Sequence, residues 1–69
     1  MTEEQIQELK NNADNLDKDL ERHYNVWERS NGKQNATAVE HYRGRLISYI
    51  EIFDMLKIDR TKYTWIYNI

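Results

Sequence analysis

The feature that most constrains this chain is that it contains no proline and only two glycines, Gly32 and Gly44. Proline and glycine are the residues that most often interrupt a helix, so helix is the default conformation over most of the 69 residues. Only the segment SNGKQN, residues 30–35, concentrates turn-forming residues. The sequence therefore predicts two helices that are joined by one short loop.

The first predicted helix covers residues 2–31. Thr2 and Gln5 stand three positions apart, as the two partners of a capping box do. The apolar positions then recur in alternating steps of three and four residues, which is the pattern of a helix packed along one seam. These seam positions are Ile6, Leu9, Ala13, Leu16, Leu20, His23 and Trp27. We expect Gly32 to take the left-handed conformation that ends the helix.

The second predicted helix covers residues 37–58. The run TAVE, from Thr37 to Glu40, has the form of a second capping box, and Asn35 is a competing cap. Its seam positions are Val39, Tyr42, Leu46, Tyr49, Phe53 and Leu56. Because a loop as short as residues 32–36 makes consecutive helices antiparallel neighbours, the sequence predicts one all-α domain built as an antiparallel two-helix hairpin.

The C-terminal tail, residues 59–69, is predicted less uniquely. Its aromatic and apolar residues alternate in a strand-like rhythm that is rich in β-forming side chains. A single strand has nothing to pair with in a helical hairpin, so two interpretations stay open. The tail packs on the hairpin as an extended or short helical segment, or it adds to a partner. Because the first helix is the longer one, we expect the tail or another chain to cover Ile6 and its neighbours.

The composition limits how such a chain is held together and where it resides. The absence of cysteine excludes disulfides and thiolate metal sites, and the length is near the lower limit for a self-sufficient core. We therefore expect self-association into a helical bundle, such as a dimer. No apolar run approaches the roughly 20 residues of a membrane span, and the N-terminus lacks the apolar region of a signal peptide. We expect a cytoplasmic protein that does not bind membranes.

A second set of small and apolar residues lies on the outer side of the second predicted helix. Gly44 is the most informative of them, because glycine inside a helix costs about 1 kcal/mol relative to alanine. A small residue on an outer side lets another backbone approach closely. Either the tail covers this side, or another molecule docks there as on other apolar patches with polar rims. The predicted partner-binding residues are Arg43, Gly44, Ile47, Ser48 and Met55, with Trp65 and Tyr67 in the tail.

Catalytic and metal-binding signatures are lacking. His23 and His41 are the only histidines, and neither belongs to a His-x-x-x-His or Glu-x-x-His pair. The two glycines stand alone, so no phosphate-binding loop is present. We expect a protein that is not an enzyme and that binds no cofactor or metal.

The charges are distributed unevenly around a net charge of −2. The first 21 residues are mainly acidic, whereas basic residues gather with aromatic ones toward the loop end of the predicted hairpin. This basic and aromatic set comprises Arg22, Tyr24, Trp27, Arg29, Lys33, Tyr42, Arg43 and Arg45. Such residues are the ingredients of nucleic-acid binding, but the seam already uses Trp27 and Tyr42, and the sequence pI is about 5.6. A small nucleic-acid-associated regulator is therefore an alternative, and a structural oligomeric adaptor is another.

The run AVEHYRGRLISYIEIFDMLKI, residues 38–58, resembles the second helix of small uncharacterised helical-hairpin proteins that are encoded by phages and mobile elements of low-GC Gram-positive bacteria. The residues that carry the resemblance are Tyr42, Gly44, Leu46 and the pair Met55–Leu56. The resemblance implies a non-enzymatic inhibitor or modulator that binds one host enzyme or defence complex, as anti-CRISPR proteins do. The acidic first helix would suit a target that itself binds nucleic acid, although the net charge is modest for a DNA mimic.

Overall fold

The computed structural model describes all 69 residues and contains three helices and no strand. Helix α1 covers Glu3–Arg29, helix α2 covers Ala36–Met55, and a C-terminal 3₁₀ helix covers Thr61–Asn68. The two long helices pack against each other. The prediction of an all-α fold is confirmed, and each long helix begins within one residue of its predicted start.

The two ends of α1 are fixed by local hydrogen bonds. The Gln5 amide donates to the Thr2 hydroxyl at 3.2 Å and the Thr2 amide donates to the Gln5 side-chain carbonyl at 3.0 Å, so the predicted capping box is confirmed. At the other end, the Gly32 amide donates to the Trp27 carbonyl at 2.8 Å. Both Asn31 and Gly32 have positive φ, at 57° and 81°, so the helix ends through two left-handed residues rather than through glycine alone.

Of the two predicted caps of α2, the capping box at Thr37 is wrong, and Asn35 is the N-cap residue. The helix begins at Ala36, so Thr37 lies inside the first turn and forms no capping box. Asn35 is the N-cap residue, but it has a left-handed φ of 61° and its side chain makes no capping bond. The side-chain amide nitrogen of Asn35 instead lies 3.2 Å from Nδ1 of His23, on α1. The chain reverses direction in the loop between α1 and α2, and this reversal needs residues in the left-handed conformation. The geometry of the loop therefore sets the start of α2, although the sequence from Thr37 has the form of a capping box.

Helix α2 ends three residues before its predicted end. The cause is Lys57, which has a φ of 59° and interrupts the helical conformation. The Ile58 amide then donates back to the Phe53 carbonyl at 2.8 Å, which closes the helix end as a Schellman turn does. Ile58 packs against the core, where Phe53 is fully buried, and such an apolar pair commonly accompanies this turn. The helix therefore stops where the chain must turn toward the tail.

The core draws on all three helices. Its buried residues are Ala13, Leu16 and Leu20 of α1, Val39, Leu46, Ile50 and Phe53 of α2, and Tyr63 and Ile66 of the 3₁₀ helix. Two predictions about α2 are corrected by this list. Leu56, which was predicted to lie in the seam, is 39% exposed, and Ile50, which was not among the predicted seam positions, is buried. The reason is that α2 packs against both α1 and the tail, which shifts its buried side.

The tail adopts the packed helical form, one of its two predicted interpretations. Three residues per 3₁₀ turn place Tyr63, Ile66 and Ile69 on one side, and the first two are buried. The tail runs along the hairpin toward the interhelical loop, since Tyr63 contacts Asp14 whereas Ile69 lines a cleft with Trp27. It therefore leads away from the start of α1, and the cover of Ile6 by another chain, which was the alternative to the tail, stays a prediction.

Candidate protein-binding face

One side of α2 points away from both α1 and the tail, and we call it the outer face. All of its residues are exposed, and they recur at spacings of three, four and seven residues. They are Glu40, His41, Gly44, Arg45, Ser48, Glu51, Ile52 and Met55. Ile52 and Met55 at its C-terminal end, with the following Leu56, are 37%, 81% and 39% exposed. The outer face is thus a continuous helical surface with an apolar end.

Gly44 lies in the middle of this face and has no partner within the chain. A Cβ atom built at Gly44 would meet no atom within 4 Å, and the backbone there does not have the positive φ that favours glycine. Close packing inside the molecule and backbone conformation therefore both fail to explain this residue. The Ser48 hydroxyl donates a hydrogen bond to the Gly44 carbonyl at 3.3 Å, so the hydroxyl hydrogen of Ser48 is already bonded within the helix. The result is a shallow depression on the face without a free hydroxyl donor.

Charged residues of opposite sign flank the depression. At about 100° per residue, Glu40 lies on one flank of the outer face and Arg45 lies on the other, and Glu51 lies between them on the side of Glu40. None of these three side chains forms an ion pair within the chain, because the ion pairs of the structure join other residues. The outer face therefore has an acidic flank and a basic flank, and both are available to a partner.

The structure divides the predicted partner-binding residues into three groups. Gly44, Ser48 and Met55 lie on the outer face, whereas Ile47 is half-buried against the core and Tyr67, in the tail, is 47% exposed. The other two hold the tail in place. The Arg43 Nε donates to the Ile66 carbonyl at 2.8 Å, and the Trp65 indole N–H donates to the Asp17 carboxylate at 2.7 Å. These bonds give Arg43 and Trp65 a structural role within the chain.

Asp14 of α1 is the second anchor of the tail. Its carboxylate accepts a hydrogen bond from the Tyr63 hydroxyl at 2.5 Å and pairs with the Lys62 ammonium, also at 2.5 Å. The Lys62 bond and then the Tyr63 bond hold the pKa of Asp14 below its ordinary value of 3.8. Burial, and then the hydrogen bond to Asp14, raise the pKa of Tyr63 well above its ordinary value. The carboxylate therefore acts as a charged acceptor at neutral pH.

Sequence reasoning did not identify two features of this surface. The anchors Asp14 and Asp17 stand three residues apart on α1, but their partners lie 48 and 49 residues later, so no local pattern reveals them. The opposed flanks of the outer face could have been predicted from the sequence, because Glu40 and Arg45 stand five residues apart on a predicted helix. That spacing is the signal of facing flanks in paired helices.

The remaining surfaces offer less to a ligand. At the loop end, Arg22 pairs with Asp19 at 3.1 Å and the His23 ring stacks on Tyr42 at a centroid distance of 5.1 Å, so part of the basic and aromatic set is used internally. The structure brings together no group of three histidine, aspartate or glutamate side chains suited to a metal ion. Neither α1 nor α2 combines the length and the apolar character that a membrane crossing requires.

Comparison of the chain with protein-family models, with curated proteins and with solved structures gave no match.

Proposed function

We propose that this chain is a non-enzymatic protein-binding module, an antiparallel helical hairpin that docks onto a protein through the outer face of α2. The observation that carries the proposal is Gly44. It lowers the stability of an exposed helix, yet nothing within the molecule occupies the space that it leaves. A partner that approaches the helix backbone closely at this point would require a residue without a side chain, which would explain the glycine.

The surroundings of Gly44 support the same function. Ile52 and Met55 provide exposed apolar area beside the depression, and methionine is well suited to adapt to a partner surface. Glu40 and Arg45 form a charged rim that would orient the partner. A centre of apolar and small residues with a polar rim is the usual organisation of a protein–protein contact.

The resemblance of residues 38–58 to phage-encoded helical-hairpin proteins extends the proposal to a biological role. In that role the chain would inhibit or modulate another protein by binding it without chemical change, as anti-CRISPR proteins do. The unpaired charges of Glu40, Glu51 and Arg45 favour a partner that carries both acidic and basic side chains at matching positions.

The proposal is tested with Gly44→Leu, which fills the depression. Asn25→Leu is the matched control, because it places the same side chain on an exposed position of α1. In affinity capture from the cells that encode the protein, we expect the wild type and the control to retain the same partner and Gly44→Leu to lose it. Circular dichroism should show the same helix content in all three proteins. Retention of the partner by Gly44→Leu, or unfolding of that variant, would contradict the proposal.

A further inference from the structure

We infer that the partner on the outer face of α2 is a second copy of the same chain, with the two α2 helices side by side and parallel. This inference rests on the proposed function, since it concerns the same face, and it names the occupant.

The register follows from the heptad repeat of paired helices. Exposed residues of α2 recur at steps of three and four, which define a central seam with one flank on each side. His41, Gly44, Ser48, Glu51 and Met55 form the seam, and Arg45 and Ile52 follow it on one flank. Glu40, which is exposed, and Ile47, which is half-buried against the core, precede it on the other flank. This seam is separate from the buried side of α2, which faces α1 and the tail.

In a parallel pair, each residue of the first flank meets the residue that stands five positions later on the second flank of the other copy. Glu40 then meets Arg45 of the second copy, and the opposite charges attract. Ile47 meets Ile52 of the second copy, which places apolar side chains together. The twofold symmetry repeats both pairs. The same face is therefore complementary to itself in charge and in polarity.

An antiparallel pair lacks this complementarity. It brings the first flank of one helix against the first flank of the other, so that Glu40 faces Asp54 of the second copy, which stands seven residues after Ile47 on that flank. Asp54 pairs with Arg60 of its own chain, and that pair leaves no free cation for Glu40. Two carboxylates at neutral pH repel each other across such a flank. Glu40 and Arg45, which have no ion-pair partner within the chain, remain without an opposite charge in that arrangement. The charges on the flanks therefore select the parallel orientation.

The centre of the face fits a close but weak contact. Gly44 and Ser48 let the two backbones approach, and the Ser48 hydroxyl is already bonded to the Gly44 carbonyl. Met55 meets Met55 of the second copy at the apolar end. Glu51 meets its own equivalent in the seam, and this repulsion opposes the pairing. The result is a reversible dimer whose affinity is limited by one acidic residue.

Charge reversal tests the inference directly, with sedimentation equilibrium over about 10 µM to 1 mM as the measurement. We expect the wild type to move from monomer to dimer with rising concentration. Glu40→Arg and Arg45→Glu should each weaken the dimer by about tenfold, because both create like charges across the flanks. An equimolar mixture of the two variants should recover a heterodimer of wild-type affinity or better. Glu51→Leu should strengthen the dimer.

The outcomes are distinguishable. An increase in affinity on Glu40→Arg would indicate the antiparallel pair and overturn the inference, as would a mixture that fails to associate. A wild type that stays monomeric throughout the concentration range would also overturn it. In that last case, a partner that Gly44→Leu loses in affinity capture would leave the proposed function standing with another protein as occupant. Without such a partner, both proposals fail.

Discussion

Lys57 occupies a backbone conformation that lysine rarely adopts, with a φ of 59° at the end of α2. Its side chain is exposed, so no packing is lost if it is removed. Because glycine reaches this conformation without steric cost, we expect Lys57→Gly to raise the free energy of unfolding by about 0.5–1 kcal/mol. Urea denaturation measures the change, and Lys33→Gly serves as a control, since Lys33 has no positive φ and should gain nothing.

A decrease in stability on Lys57→Gly would mean that the lysine side chain contributes more than its strained backbone costs. It would then contradict the account of why α2 ends at this position.

The carboxylate of Asp14 makes the attachment of the tail sensitive to acid. Its hydrogen bonds to Lys62 and Tyr63 keep its pKa below the ordinary value of 3.8 in the folded state. The stability from this group is therefore fully present above pH 3.8 and is lost as the pH falls through the lower, folded-state pKa. We expect the unfolding free energy of the wild type to fall in this range more steeply than that of Asp14→Asn.

Tyr63→Phe tests the same hydrogen bond from the side of its donor, the Tyr63 hydroxyl, while the Asp14 carboxylate stays in place. It removes the bond to Asp14 but keeps the buried ring, so the expected loss at neutral pH is about 1 kcal/mol, as for one part-buried hydrogen bond. A parallel pH dependence in the wild type and in Asp14→Asn would refute the assigned role of this carboxylate.

At the scale of whole elements, the predictions succeeded where local chemistry decides. The capping box of Thr2 and Gln5 and the three-four spacing of α1 depend on residues a few positions apart, and both appear in the structure. The capping box at Thr37 failed because the geometry of the loop placed the helix start at Ala36. Local signals were therefore reliable in α1 and unreliable where the loop constrains the backbone.

The tail was harder to predict, since its pattern fits two periods. Alternation of its aromatic residues indicated a strand, but Tyr63, Ile66 and Ile69 also recur at three, the period of a 3₁₀ helix. The choice between the two depends on contacts with Asp17 and Arg43, which are distant in sequence. Burial of Ile50 and exposure of Leu56 accompany the packing of α2 against both α1 and the tail, and for that reason the predicted seam of α2 was incorrect there.

We expect the tail to contribute to the stability of the whole fold, and substitution of Ile66 tests this expectation. It is fully buried among residues of all three helices, so Ile66→Ala should cost about 2–5 kcal/mol. Tyr67→Ala is the control, because Tyr67 is 47% exposed and its substitution should change stability by less than about 1 kcal/mol. Thermal unfolding followed by circular dichroism gives both values. Equal effects of the two substitutions would show that the tail is only loosely attached.

At the scale of the molecule, the fold is a rod of 42 × 18 × 16 Å with nine buried residues. So small a core leaves little stability in reserve, and association through the outer face would add to it by mass action. The sequence directed attention to Gly44, Ser48 and Met55, and the structure leaves all three exposed. It did not reveal that Arg43 and Trp65 hold the tail, because their partners are a backbone carbonyl and a distant aspartate.

The central claim is that the outer face of α2 is a contact surface and that a second copy occupies it. The most direct measurement is a series of amide NMR spectra of the wild type, recorded while the protein is diluted from about 1 mM to about 20 µM. We expect the amide signals of Gly44, Ser48 and Met55 to shift with concentration, whereas those of Asn25 and Glu28 on α1 should stay constant. Shifts that concentrate on α1 or the loop, or no shift over the whole series, would contradict the claim.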